Sequence, residues 1–180
     1  MKPFFYAISL LFALLACKTG PNREQLSGEI EKLRQQLANT TTYPFDSVVT
    51  HQLIEKSTLY SNTFKEDTLS AQYMLLAAEV SKSIGEPHQA IELWNNMIVR
   101  FPNYSKAPEA LFQMAFAYDN DLGDKEKAKE LYHEFIEKYP NHSLTDDAQQ
   151  LLKMIESGKT IEEVIKEFEA KSQQQDSIVK

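Results

Sequence analysis

The 180-residue chain contains one cysteine, one tryptophan and only five glycines, and each scarcity excludes something. A single cysteine cannot close an intrachain disulfide, and it cannot supply the several thiolates of a cysteine-rich metal site. So few glycines leave no phosphate-cradling loop, and with few long β-branched runs the chain leans toward helix. Basic residues are the minority sign, 19 Lys and Arg against 26 Asp and Glu, for a net charge of −7 and a pI of about 5.2. Contact with a phosphate backbone rests on clustered Lys and Arg, so no nucleic-acid partner is expected. An acidic surface is also repelled by an anionic bilayer, so any membrane attachment must be covalent or apolar. Gly-x-Ser-x-Gly, His-Glu-x-x-His and phosphate-binding glycine signatures are missing. His51, His88, His133 and His142 fall in separate stretches without ligand spacing, whereas a zinc site needs three or four convergent ligands. The expectation is therefore no enzyme, no metal and no cofactor. The remaining balance, 42% hydrophobic and 25% charged, is that of an ordinary globular chain with room for one modest domain plus a leader or tail.

The leader occupies residues 1–16. Met1-Lys2-Pro3 precedes a nearly unbroken apolar run from Phe4 to Ala16, which is too short to span a bilayer as a helix and has the length of a signal-peptide core. It should be removed from the mature protein. The lone cysteine stands directly after it, and Leu14-Leu15-Ala16-Cys17 resembles the bacterial lipobox, in which the cysteine becomes the first mature residue and carries acyl chains. The resemblance implies that Cys17 is a lipid attachment point rather than a nucleophile, with several chains supplying the anchoring that one cannot. Lys18 is not the acidic residue associated with inner-membrane retention, and Thr19-Gly20-Pro21-Asn22 lacks the acidic run of some surface-exported lipoproteins. By the same resemblance the address is the outer membrane, facing the periplasm, with membrane contact through the N-terminal lipid only.

Residues 17–22 form the lipidated tether, and 23–46 an N-terminal helix and loop. Leu26, Ile30, Leu33 and Leu37 recur at steps of four and three, which predicts a helix over Arg23–Asn39. Two readings of that stripe stand: it lies on the body of the protein, or it forms a small oligomerisation helix, although so few heptads do not sustain a coiled coil unaided. After the break at 39–44, Asp46 or Ser47 can cap a helix over Ser47–Thr63, read as the second helix of a degenerate first repeat.

The rest of the chain is organised by self-similarity. Residues 69–103 recur as 107–141, with Gly85 and Gly123, Ala90 and Ala128, and Pro102 and Pro140 each 38 apart, and a fixed period of this size signals stacked supersecondary units. In the first helix of each unit Leu69, Tyr73, Leu76, Ala77, Val80 and Ile84 correspond by this spacing to Ala107, Leu111, Met114, Ala115, Tyr118 and Leu122. In the second helix Ala90, Leu93, Trp94, Met97, Ile98 and Phe101 correspond to Ala128, Leu131, Tyr132, Phe135, Ile136 and Tyr139. Each set is one helical stripe. The glycines stand where a helix C-terminus takes a left-handed residue, and the prolines end the second helices. Ala77 with Ala90, and Ala115 with Ala128, mark the closest approach of the paired helices, and Trp94 and Tyr132 fill the space between units.

The order Tyr73, Leu76, Ala77, Gly85, Ala90, Trp94, Pro102, repeated as Leu111, Met114, Ala115, Gly123, Ala128, Tyr132, Pro140, resembles the tetratricopeptide repeat. It departs from that family's pattern in its period of 38 instead of the usual 34, in Met97 and Phe135 where a small residue is usual, and in a turn one residue longer before the glycine. These departures look like the longer repeats of outer-membrane assembly lipoproteins and of the Tol-Pal-associated periplasmic coordinator. The resemblance implies an all-α superhelix of helix hairpins over 47–171, with clear units at 69–103 and 107–141 and degenerate flanks, and a disordered tail at 172–180. One flank is a helix from about Leu144 to Glu156, followed by a last helix carrying Ile161, Val164, Ile165 and Phe168. The acidic pairs Asp146-Asp147 and Glu162-Glu163 stand near helix N-termini, where they favour the dipole.

The implied function is protein–protein interaction with an envelope protein or peptide segment, as a scaffold, as a Tol-Pal-type coordinator, or as accessory subunit of a cell-wall enzyme. In tetratricopeptide repeats the first helices line a groove, and by register the peptide-binding positions are Met74, Ala78, Ser81, Phe112, Phe116 and Asp119. Phe112 and Phe116 lie off the main stripe, either open to a ligand or packed on the preceding unit.

Overall fold

The computed structural model describes residues 20–39 and 46–158, together with Glu163 and Lys166 as helical positions. The leader, Cys17, the tail and the apolar residues of the expected last helix, Ile161, Val164, Ile165 and Phe168, lie outside the described residues. Among the described residues the fold is all-α: α1 (Arg23–Ala38), α2 (Ser47–Thr63), α3 (Thr68–Ser83), α4 (Pro87–Arg100), α5 (Ala107–Phe116) running into a π-helical turn (Ala117–Asp121), α6 (Lys125–Lys138) and α7 (Thr145–Ser157).

Short acidic or amide side chains start most of these helices. Asn22, Asp46, Asp67 and Asp124 accept backbone N–H bonds of 2.8–3.0 Å from Gln25, Val48, Leu69 and Lys127, filling donors that the first turn leaves unpaired. Pro87 and Pro108 sit in the first turns of α4 and α5, where no N–H is needed. Gly85 and Gly123 end the first helices at φ 82° and 68°, as their spacing predicts, and Asp146 and Asp147 occupy the first turn of α7.

Packing joins sequence neighbours into a stack: α1 on α2, α2 on α3, and so on to α6 on α7. Leu26, Ile30 and Leu33 are buried, so α1 lays its stripe on the body and serves as the first helix of the first hairpin. The oligomerisation reading thereby loses its free stripe. The N-terminal hairpin is latched by Asp67, which caps α3, accepts the Tyr60 hydroxyl at 2.8 Å and pairs with Arg23 of α1. The Arg23 guanidinium holds the Asp67 carboxyl well below the usual carboxylate range, while burial, then the carboxylate, pushes Tyr60 up to about 12.

Asp67→Asn keeps the cap but loses the charge. At neutral pH it should cost about 1 kcal/mol, most of it from the charge-assisted Tyr60 bond, since the half-exposed Arg23 pair adds little. A carboxylate with a depressed folded-state pKa contributes stability that is fully present above about pH 4 and is lost as pH falls below it. Melting temperatures of the two proteins should therefore differ at pH 7 and draw together as pH falls below about 4; a gap that does not shrink between pH 4 and pH 2 contradicts the latch.

The hydrogen bonds of the turns correct the repeat register. Asp67 N–H donates to Phe64 and Ser70 N–H to Asp67; Tyr104 to Phe101 and Ala107 to Tyr104; His142 to Tyr139 and Thr145 to His142. Phe64 and Phe101 are 37 apart, Phe101 and Tyr139 38. Burial agrees: Ser70, Met74, Ala77 and Ala78 are buried in α3 and Ala107, Leu111, Met114 and Ala115 in α5, again at 37. The missing residue returns in the π-helical turn. At Gly85 the bond from Glu86 N–H closes on the Ser81 carbonyl, whereas at Gly123 the bond from Asp124 N–H reaches back one residue further, to Tyr118. A π turn is a one-residue insertion into an α-helix. The constant spacing of Gly, Ala and Pro thus conceals a shift of one in the first helices. Met74, not Tyr73, is the counterpart of Leu111, and Ala78, not Ala77, that of Ala115.

Candidate functional site

The six residues expected to line a peptide groove do not share an open face. Met74, Ala78 and Ser81 are buried in α3, where the Ser81 hydroxyl bonds the Ala77 carbonyl and the Gln89 side chain. Phe112 is only 9% exposed and packs edge-on against Tyr132 and Phe135 of its own hairpin, with ring centroids 5.9 and 5.7 Å away. Phe116 is half-buried, with the Lys82 ammonium 4.7 Å from its ring centre, and Lys82 also pairs with Asp121 at 3.1 Å. Asp119 pairs with Lys125. Two causes act together: the register is off by one across the first helices, and solenoid helices bury more than one face.

The open concavities lie instead between successive second helices, with the intervening first helix as floor. One, of about 660 Å³, runs between α2 and α4 over Met74. The other, of about 680 Å³, runs between α4 and α6 over Leu111 and Met114. They are the same groove one repeat apart. Thr58, Ser61, Asn62, Lys65 and Met74 of the first become Asn95, Ile98, Val99, Pro102 and Leu111 of the second, at 37. Gln89, Leu93, Asn96 and Arg100 become Lys127, Leu131, Glu134 and Lys138, at 38. The π-helical turn accounts for the change of offset.

Their chemistry differs. In the first groove Arg100 reaches across from α4 and donates to the Ser61 carbonyl at 2.6 Å, with Met74 sulfur 3.5 Å from its other guanidinium nitrogen. The groove is polar and bridged by its own side chain. In the second, Ile98 and Val99 replace Ser61 and Asn62, and Val99 is 70% exposed. Lys138 stands where Arg100 does but turns to the Tyr139 ring, 5.6 Å from its centre. The sequence carried one signal of this surface. Val99 is apolar yet outside the Leu93, Trp94, Met97, Ile98, Phe101 stripe, where the next copy has Glu137.

Residues 109–142, from the first turn of α5 through α6 to the turn beyond it, match the tetratricopeptide repeat family. This stretch is similar to a tetratricopeptide repeat. Its second helix forms one wall of the apolar groove, and the equivalent helix of the hairpin before it forms the other. None of the curated proteins matches the chain. Tetratricopeptide repeats are protein-binding modules, and the described hairpins before residue 109 extend the same stack.

Proposed function

We propose that the protein is a non-catalytic, lipid-anchored scaffold of the outer membrane, facing the periplasm, whose tetratricopeptide-like hairpins bind an envelope protein or peptide segment in cell-envelope or outer-membrane protein assembly. The observation that carries the interaction reading is the repeat at 109–142, set in a stack that leaves grooves between its second helices. The anchor reading is supported by an apolar leader ending at the one cysteine of the chain. A net charge of −7 also makes electrostatic adsorption to anionic lipid unfavourable, leaving the acyl chains as the attachment. The caps, latches and surface pairs described, such as Asp67 with Tyr60 and Arg23, serve to hold helices together, which suits a framework.

The test is metabolic acyl labelling with membrane fractionation. Wild-type protein should incorporate label and sediment with outer membranes; Cys17→Ala should lose the label entirely and leave the membrane fraction. Persistent labelling of Cys17→Ala would sink the anchor.

A further inference from the structure

We propose that the groove between α4 and α6 is a docking site for an amphipathic helical segment of another protein, one with a row of apolar side chains flanked by Lys or Arg. The inference rests on reading the repeats as an interaction module, and is independent of the lipid anchor.

The argument is an internal comparison. The same backbone concavity occurs twice, and only one copy is finished by the chain itself. Arg100 bridges the α2–α4 groove by its bond to the Ser61 carbonyl, and the walls there are polar. At the equivalent positions the α4–α6 groove presents Ile98, Val99, Pro102 and Leu111, and among the described residues no side-chain hydrogen bond bridges it as Arg100 bridges the first, since Lys138 lies against Tyr139. Folding alone gives no reason to place a valine at 70% exposure on such a rim. A groove of about 680 Å³ with an apolar strip along Ile98, Val99, Pro102 and Leu111 has the size of a ligand site and suits a row of side chains spaced one helical turn apart.

Charge selects the occupant. Glu92 on one wall is exposed and forms no ion pair among the described residues; on the other, Glu134 shares Lys127 with Glu130, which pairs with that lysine at 2.7 Å, and Lys138 is drawn to the Tyr139 ring. A basic flank would meet the unpaired Glu92 carboxylate, and the net charge of −7 would steer it in. A second copy of this chain would bring acid against acid, which disfavours self-association at this face.

The test uses the protein from Lys18 onward, which retains every described helix, and a fluorescein-labelled synthetic helix about four turns long built from Leu and Lys, with a Leu and Glu counterpart. Anisotropy titrations should show binding of the Leu–Lys helix and none of the Leu–Glu helix. Val99→Glu should weaken binding about tenfold or more, while Asn62→Glu, at the equivalent rim of the self-bridged groove, should leave it within about twofold. The sign is decisive, because each variant adds a negative charge and simple attraction would tighten binding in both. Val99 is exposed, so the variant should melt with wild type. Binding of the Leu–Lys helix that is equal or tighter in Val99→Glu overturns the groove but not the interaction reading. Failure of both helices to bind, or a wild-type dimer in sedimentation that Val99→Glu dissolves, also overturns the proposal.

Discussion

Trp94→Ala is expected to lower the unfolding free energy by about 3–5 kcal/mol, enough to drop the melting temperature by roughly 10 °C or more. Trp94 is 1% exposed and is the largest of the fully buried side chains. It belongs to α4, which packs between α3 of its own hairpin and α5 of the next, so truncation weakens the core where the two hairpins meet. The indole Nε1 is buried without a hydrogen-bond partner among the described residues, so the loss is one of packing and apolar burial. Trp94→Phe should consequently recover much of it. Thermal or urea unfolding followed by circular dichroism measures both; a loss below about 1 kcal/mol for the alanine variant would mean that the hairpins do not share this core.

Phe135→Ala should cost a similar amount by global measurement but open the molecule differently. Phe135 is fully buried at the centre of an aromatic cluster, with ring centres 5.7 Å from Phe112, 5.5 Å from Tyr139 and 5.6 Å from His142, the last at an interplanar angle of 90°. These contacts tie α5, α6 and the turn that delivers α7. In a stack where each element mainly touches its sequence neighbours, stability is close to a sum of local and nearest-neighbour terms. Removing Phe135 should therefore release α6 and α7 while α3 and α4 stay protected. Native-state hydrogen exchange resolves this: amides of Lys125–Ser157 should lose protection first in Phe135→Ala, whereas Trp94→Ala should lower protection along the whole stack. Equal loss in both variants contradicts the one-dimensional coupling.

What could be read before the structure follows from local chemistry. Asp46 as a cap, Gly85 and Gly123 as left-handed terminators, Pro102 and Pro140 as stops and the apolar stripes of the second helices are each decided by a few adjacent residues, and each is found where expected. The first-helix pairing was misread because the landmarks on either side, Gly, Ala and Pro, keep a spacing of 38 while the shift and its compensation cancel between them. A periodicity count sees the sum and not the parts. The candidate groove inherited that error in α3, where Met74 and Ala78 belong to the buried stripe; in α5 the stripe was in phase, and Phe112 is buried because that helix packs on more than one face. The grooves themselves join residues from α2, α3 and α4, or from α4, α5 and α6, and no single segment carries a pattern for such a meeting. Val99 was passed over, although it is an apolar residue where the next copy has Glu137.

The π-helical turn sets a rule for recombining these units. One residue is about 100° of helical rotation, so a chimera that exchanges first helices at a constant 38 would turn the core stripe by that angle, placing Tyr73 where Met74 belongs and, in the reverse exchange, bringing Phe116 to the inward position of Ala115. Exchange from Phe64 to Gly85 against Phe101 to Gly123 carries the extra residue along with the turn that absorbs it. Cut points at the aromatic and the glycine keep every phase intact; a cut inside the helix transplants the sequence but not its orientation.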